Sequence, residues 1–119
     1  MPKSNILLVD DNPGITALML KSRGYSVSIA SDGLEGIEKA KDEAPDLILL
    51  DIMMPGMDGY EACVRLKTDA DTEHIPVIML TAKEDPEAIS KSHKLGADDY
   101  IVKPFNLPVL VSKLKAFLP

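Results

Sequence analysis

A single doubly wound α/β domain of five successive βα units is predicted by three observations. First, strand-like and helix-like patterns alternate five times along the 119 residues with short connections. That alternation implies parallel strands, right-handed crossovers and helices on both faces of the sheet. Second, Leu47-Ile48-Leu49-Leu50 and Val77-Ile78-Met79-Leu80 are continuously apolar, as strands covered on both sides should be. Third, four runs end in polar residues suited to a phosphoryl group. Ile6-Leu7-Leu8-Val9 meets Asp10-Asp11, the Leu47 run meets Asp51, the Val77 run meets Thr81, and Tyr100-Ile101-Val102 meets Lys103. In one parallel sheet these residues share the carboxyl edge, where open α/β folds bind ligands.

Each element has its own signals. After the first run, Pro13 suits a helix start, because its missing N–H is one the helix leaves unpaired anyway. Ile15, Leu18 and Met19 then recur at helical spacing until Arg23-Gly24 ends the element. Ser26-Val27-Ser28-Ile29 alternates like a strand with one more exposed face. Asp32-Gly33 opens a second helix bearing Leu34, Ile37, Ala40 and Lys41, which Pro45 stops. The third strand gives way to Met53-Met54-Pro55-Gly56-Met57-Asp58-Gly59, a loop dense in turn residues, and Asp58 is the expected N-cap of a helix carrying Ala62, Val64 and Leu66. Asp69 to Glu73 reads as polar connection. Glu84-Asp85-Pro86-Glu87 opens the fourth helix and Leu95-Gly96 closes it. After Pro104, a helix with Leu107, Leu110, Val111, Leu114 and Leu118 follows.

Composition narrows the function classes. A chain of 119 residues suits one domain with a sizeable core, so residues 1–119 are expected to form a single unit. The net charge of -6 argues against a phosphate-backbone binder, since nucleic-acid domains carry basic patches. No apolar run approaches the ~20 residues of a membrane span, and the start leads straight into the first strand without a signal-peptide pattern. A single cysteine, Cys63, has no internal disulfide partner, which fits a reducing cytoplasm and a small apolar residue on a helix. A cytoplasmic protein with no membrane partner is the expectation.

The strand ends carry the chemistry. Asp10 and Asp11 point to opposite sides in an extended chain, but a turn brings both near one ion, and Asp51 adds a third hard oxygen ligand. Mg2+ prefers a few carboxylates, waters and a substrate phosphate to a complete protein cage. A carboxylate is also a nucleophile towards phosphorus, giving an acyl phosphate. Asp51, after the most apolar strand and before a Gly-containing loop, is the best candidate. Lys103 suits compensation of phosphate charge, and Thr81 suits a hydrogen bond to a phosphate oxygen.

The segments Ile6–Pro13, Asp46–Gly59, Pro76–Ala82 and Leu95–Phe105 together resemble a response-regulator receiver domain of two-component signalling. The resemblance implies a flavodoxin-like, CheY-like sheet with strand order 2-1-3-4-5. It also implies a phosphorylation-dependent switch, in which Asp51 accepts a phosphoryl group from a sensor histidine kinase or phosphotransfer protein. Mg2+ would be held by Asp10, Asp11, Asp51 and the backbone carbonyl of Met53. Thr81, the Ala82 amide and Lys103 would hold the phosphoryl oxygens. Tyr100 would swing inward as Thr81 moves, changing the face of the fourth helix, fifth strand and fifth helix for a downstream effector. Pro104 matches a proline often preceded by a cis bond. On this reading the chain is a phosphoacceptor and not an enzyme acting on an external substrate, and it does not itself bind nucleic acid.

Two departures from the family pattern bear on packing. Between Asp11 and Gly24 lie twelve residues, about three fewer than usual, which shortens the first helix by roughly one turn. Val109 stands where winged-helix regulators carry a glutamate for a dimer salt bridge, while Lys113 and Asp98-Asp99 fit the other positions of that network; a homodimer stands as an open expectation. Two other readings compete. A phosphohydrolase with an aspartyl-phosphate intermediate would place a second aspartate where Met53 stands, and a pseudo-receiver would lack one of the acidic or lysine positions. His74 and His93 have no companion at metal-ligand spacing and read as solvated surface. Met53, Met54 and Met57 suit either an adaptable contact surface or loop packing. Met53 and Lys83, two residues after Asp51 and Thr81, are expected to tune phosphoryl lifetime.

Overall fold

A computed structural model describes residues 4–54, 56–82 and 86–118. Lys83, Glu84 and Asp85, which the sequence places at the approach to the fourth helix, lie outside these residues, as does Pro55. The elements follow in the order β1 (Asn5–Val9), α1 (Gly14–Ser22), β2 (Ser26–Ala30), α2 (Gly33–Glu43), β3 (Leu47–Asp51), α3 (Gly59–Thr68), β4 (Val77–Thr81), α4 (Pro86–Lys94), β5 (Asp99–Val102) and α5 (Leu107–Lys115). The five strands form one parallel sheet in the order β2-β1-β3-β4-β5. Both the strand order and the five βα units match the expectation. No helix is long and apolar enough to cross a membrane among the described residues.

The strand period of two divides the core between the faces of the sheet. Leu7, Val9, Ile48, Leu50 and Met79 point to one side, against Ala40 of α2 and Ala62, Cys63 and Leu66 of α3. Ile6, Leu8, Leu47, Leu49, Ile78, Leu80 and Ile101 point to the other, against Ala17 and Leu20 of α1 and Leu110 and Leu114 of α5. The central strands β1, β3 and β4 are therefore apolar along their length because each face has a helical cover.

Polar caps set the helix starts. Asp58 accepts the Glu61 N–H at 2.9 Å, as expected, and Asp32 accepts the Glu35 N–H at 2.8 Å. Asn106 does the same for α5 through Val109 at 3.0 Å, and each cap satisfies a donor the helix leaves open. Pro13 lies one residue before α1, where its carbonyl accepts the Ala17 N–H at 2.8 Å. Gly24, at φ +85°, and Gly96, at φ +99°, follow α1 and α4 in the left-handed region that glycine tolerates best.

In three helices some of the residues that the spacing selects stand in water, while Met19, Ile37, Ala40, Ala62 and Leu66 pack inward as expected. In α1 the sheet receives Thr16, Ala17 and Leu20, while Ile15 is 72% and Leu18 69% exposed. This helix is apolar around most of its circumference, so two faces were compatible with helical spacing. In α2 the buried set is Gly33, Gly36 and Ala40, with Leu34 exposed. A Cβ on Gly36 would come 2.8 Å from Val9 Cγ2, so the helix lies too close to β1 for a large side chain there. In α3 Val64 is exposed and Cys63 takes the inner position. Two mutations separate the faces of α1. Leu20→Ala is expected to cost about 3 kcal/mol by leaving a cavity, whereas Leu18→Ala is expected to stay within about 0.5 kcal/mol. Denaturant unfolding of both variants measures the difference.

Candidate functional site

The register of the sheet brings the predicted residues together. Asp51 of β3 stands opposite Leu80, and Thr81 of β4 opposite Val102. The Lys103 N–H donates to the Thr81 carbonyl at 2.7 Å, carrying the pairing one residue past β5. Beyond β1, the Asn12 N–H donates to Asp10 Oδ1 at 2.9 Å. This turn prevents the strand-like divergence of Asp10 and Asp11. Carboxylate oxygens of Asp10, Asp11 and Asp51 all lie within 4.8 Å of one another. Asp10 is 1% exposed and Asp51 7%, whereas Asp11 faces solvent at the rim.

Lys103 closes the cluster. Its Nζ donates to Asp10 Oδ2 at 3.0 Å and to Asp51 Oδ2 at 3.2 Å. The other oxygen of Asp51, Oδ1, accepts the Met53 N–H at 3.1 Å. Burial raises the Asp51 carboxyl above its ordinary range, and the Asp10 charge adds to this. The Met53 N–H and Lys103 pull it down without offsetting the rise. Burial works against the Lys103 ammonium, but the hydrogen bond and charge of Asp10 and the charge of Asp51 outweigh it and hold its pKa above normal. Three carboxylates face one ammonium here, which leaves an excess of negative charge when all are ionised.

A divalent cation fits that arrangement by charge and by donor type. All the acidic ligands are hard oxygens, and Asp11 is open to solvent, so water can complete the shell of an octahedral ion such as Mg2+. Asp51 also keeps an accessible fraction, as a nucleophile requires.

The remaining predicted residues fall around this centre or away from it. Thr81 is buried at the end of β4 and Ala82 is exposed next to it. The Lys103–Pro104 peptide is cis, as the resemblance implied. Tyr100 lies apart from the carboxylates. Its ring is half-buried, faces Lys113 Nζ at 5.1 Å and lines a cavity of about 160 Å³ with Ile89, Ser92 and Ala97. Lys113 pairs with Asp99 at 3.0 Å, and Asp98 pairs with Lys67 at 2.9 Å, so both of these acidic residues have partners within the chain. His74 and His93 are exposed. Met53 is exposed, while Met54 and Met57 pack against the core. Cys63 is buried, and burial pushes its thiol up to about 11, which leaves it unreactive.

Sequence reasoning missed the structural demand on Gly59. Its N–H donates to the Ile52 carbonyl at 3.0 Å, and a Cβ there would lie 2.3 Å from the Asp51 carbonyl oxygen. The first turn of α3 thus presses on the backbone that presents Asp51. The turn-rich composition marked the loop, but only the packing shows which glycine is indispensable.

Comparison with known proteins gives the family. The family model for the response regulator receiver domain matches residues 6–115. The chain is 41% identical over 121 residues to the DNA-binding dual master transcriptional regulator RpaA of Synechocystis, covering 99% of this chain and 49% of that protein. It is 43% identical over 116 residues to the alkaline phosphatase synthesis transcriptional regulatory protein PhoP of Bacillus subtilis, covering 95% of this chain and 48% of that protein. The chain thus spans about half the length of these curated relatives. Among solved structures, a putative response regulator from Chloroflexus aurantiacus superposes with a TM-score of 0.94 at 34% identity, covering 98% of both chains. The receiver domain of sensor histidine kinase PA1611 from Pseudomonas aeruginosa, solved with a magnesium ion coordinated in its active-site cleft, gives 0.90 at 32% identity, again with 98% of both chains covered. The chain belongs to the response-regulator receiver family, the phosphorylation-dependent switches of two-component signalling.

Proposed function

We propose that Asp51 is the phosphoacceptor and that residues 1–119 act as one receiver unit. The observation that carries this reading is the position of Asp51. It is largely shielded, shares a cluster with Asp10 and Asp11, and has Lys103 Nζ 3.2 Å from Oδ2. Asp10, Asp11, Asp51 and the Met53 carbonyl hold Mg2+, which when bound neutralises charge on the incoming phosphoryl group. The buried Asp10 carboxylate repels that group, and Lys103, protonated between Asp10 and Asp51, lessens the repulsion. The Asp51 oxygen attacks phosphorus as the bond from phosphorus to the donor's histidine nitrogen breaks and the imidazole leaves, and Thr81, the Ala82 amide and Lys103 receive the phosphoryl oxygens.

The phosphodonor is a phosphohistidine of a sensor kinase or phosphotransfer protein. Thr81 shifts toward the acquired phosphate, Tyr100 moves into space next to α4, and the surface formed by α4, β5 and α5 changes its affinity for an effector. The 160 Å³ cavity beside Tyr100 supports the second step, since it gives the ring room to move. The relatives are named transcriptional regulators, and Met53 stands where the hydrolase reading needs a second aspartate. Both favour a switch over an enzyme with an external substrate.

Acetyl phosphate and Mg2+ test the acceptor role through intact-mass measurement. One added phosphoryl group is expected, and none when EDTA replaces Mg2+. An unchanged mass under conditions that label a control receiver overturns the reading.

A further inference from the structure

Helix α4 is held to the rest of the fold unevenly. Of its nine described residues, Pro86–Lys94, only Ser92 is buried, and its hydroxyl donates to the Ala88 carbonyl of the same helix at 2.8 Å. Between α4 and β5 lies the cavity of about 160 Å³ that Ile89 and Ser92 line together with Tyr100. A void of this kind forfeits the close contacts that would fix a helix on a sheet. The turn after α4 is tied down instead. Ala97 is buried, and Asp98 accepts both the Lys67 ammonium at 2.9 Å and the Val77 N–H at 2.8 Å. Lys67 also donates to the Ile75 carbonyl at 2.8 Å. Toward α3, Lys91 Nζ stands 4.1 Å from the centroid of the Tyr60 ring, within the range of a cation–π attraction. Tyr60 packs against the core and follows Gly59, whose N–H donates to the Ile52 carbonyl next to Asp51.

We propose that the contact between Lys91 and Tyr60 is a latch, which holds α4 against α3 while Asp51 is unmodified and opens when Asp51 carries a phosphoryl group. The inference rests on Asp51 being the phosphoacceptor of a switch in which Tyr100 enters the cavity next to α4. A ring entering that cavity meets Ile89 and Ser92 from the sheet side. A helix anchored at its C-terminal turn yields at its other end, so α4 pivots about Leu95–Ala97 and carries Lys91 away from Tyr60. A contact made in one conformation and lost in the other opposes the change by its own free energy. The coupling is reciprocal, so a ligand that favours the moved helix binds more weakly while the latch is intact. The latch therefore sets how readily the unmodified chain turns on, from a position outside the phosphoryl site.

Beryllofluoride, which mimics a phosphoryl group on a carboxylate, tests the latch when titrated with Mg2+ into the whole chain and followed by nuclear magnetic resonance. Lys91→Gln, at an exposed position, removes the charge, and Tyr60→Leu removes the ring. Each is expected to tighten beryllofluoride binding about two- to fivefold, the equivalent of an exposed cation–π pair. The double variant is expected to bind no tighter than either single one, because both remove the same interaction. Lys91→Arg, which keeps a cation over the ring, is expected to bind as the parent does. Circular dichroism checks that all four variants are folded. A merely structural role for Lys91 would weaken the site when the residue is changed, so the direction of the shift separates the two. Unchanged or weaker binding in folded Lys91→Gln overturns the latch and leaves the phosphoacceptor reading intact. An effect of Lys91→Gln that persists in full in the Tyr60→Leu background also overturns it. If the parent chain binds no beryllofluoride while a control receiver does, both readings fail.

Discussion

Asp51→Asn is expected to lower phosphoryl uptake from acetyl phosphate by at least roughly a hundredfold, because the substituted amide is not a competent nucleophile. Intact-mass measurement checks this directly. The same substitution is expected to raise the melting temperature by a few degrees at pH 7 in EDTA. Burial and the neighbouring Asp10 raise the folded-state pKa of Asp51, so ionisation of this group opposes folding. That cost is fully present above the raised folded value. It disappears as pH falls below the ordinary carboxylate range near ~4, where the group is protonated in both states. Asparagine retains an oxygen to accept the Met53 N–H, and Lys103 retains Asp10 at 3.0 Å. The stability difference between the two proteins should therefore hold constant above the raised folded value and shrink as pH falls from there to about 4. A variant less stable than the parent across that range contradicts this account of the site.

Gly59→Ala is expected to destabilise the fold by about 3 kcal/mol, at the upper end of typical overpacking costs. The added Cβ would come 2.3 Å from the Asp51 carbonyl oxygen, 2.6 Å from Ile52 Cα and 2.9 Å from the Asp51 carbonyl carbon. All three are backbone atoms, so no flexible side chain can move aside. The chain must instead lift α3 away from the end of β3, and that movement displaces Asp51 from Asp10 and Lys103. Phosphoryl uptake should fall along with stability. Gly14→Ala is the matched control, since a Cβ at the start of α1 meets nothing within 4 Å. It should leave stability unchanged or raise it by up to about 1 kcal/mol. Thermal unfolding and acetyl phosphate labelling of the two variants separate the local collision from a general effect of adding a methyl group.

The sequence was most legible where backbone geometry leaves few choices. Five alternating patterns and continuously apolar runs sufficed for a parallel sheet, because strands covered on both faces tolerate polar residues only at their ends. Those ends pointed to Asp10, Asp11, Asp51, Thr81 and Lys103, all of which the sheet gathers at one edge. Helix faces were harder to read. Ile15, Leu18 and Leu34 are the conspicuous apolar residues of α1 and α2, yet they face water, while Ala17, Gly36 and Ala40 meet the sheet. A hydrophobic pattern favours large side chains. A helix lying close to a strand admits small ones.

The chain alone thus determined the architecture and the kinds of atoms at its carboxyl edge, since strand period and βα alternation are local properties written along the sequence. Tertiary structure decided how those atoms act on one another. Lys103 lies 52 residues from Asp51 and 93 from Asp10, and the position of its ammonium between them depends on sheet order and register. The shielding that raises the Asp51 pKa, the pressure of Gly59 on the Asp51 backbone and the contact of Lys91 with Tyr60 have the same origin. Each depends on distances between segments remote in sequence, and those distances exist only once the helices have packed on the sheet.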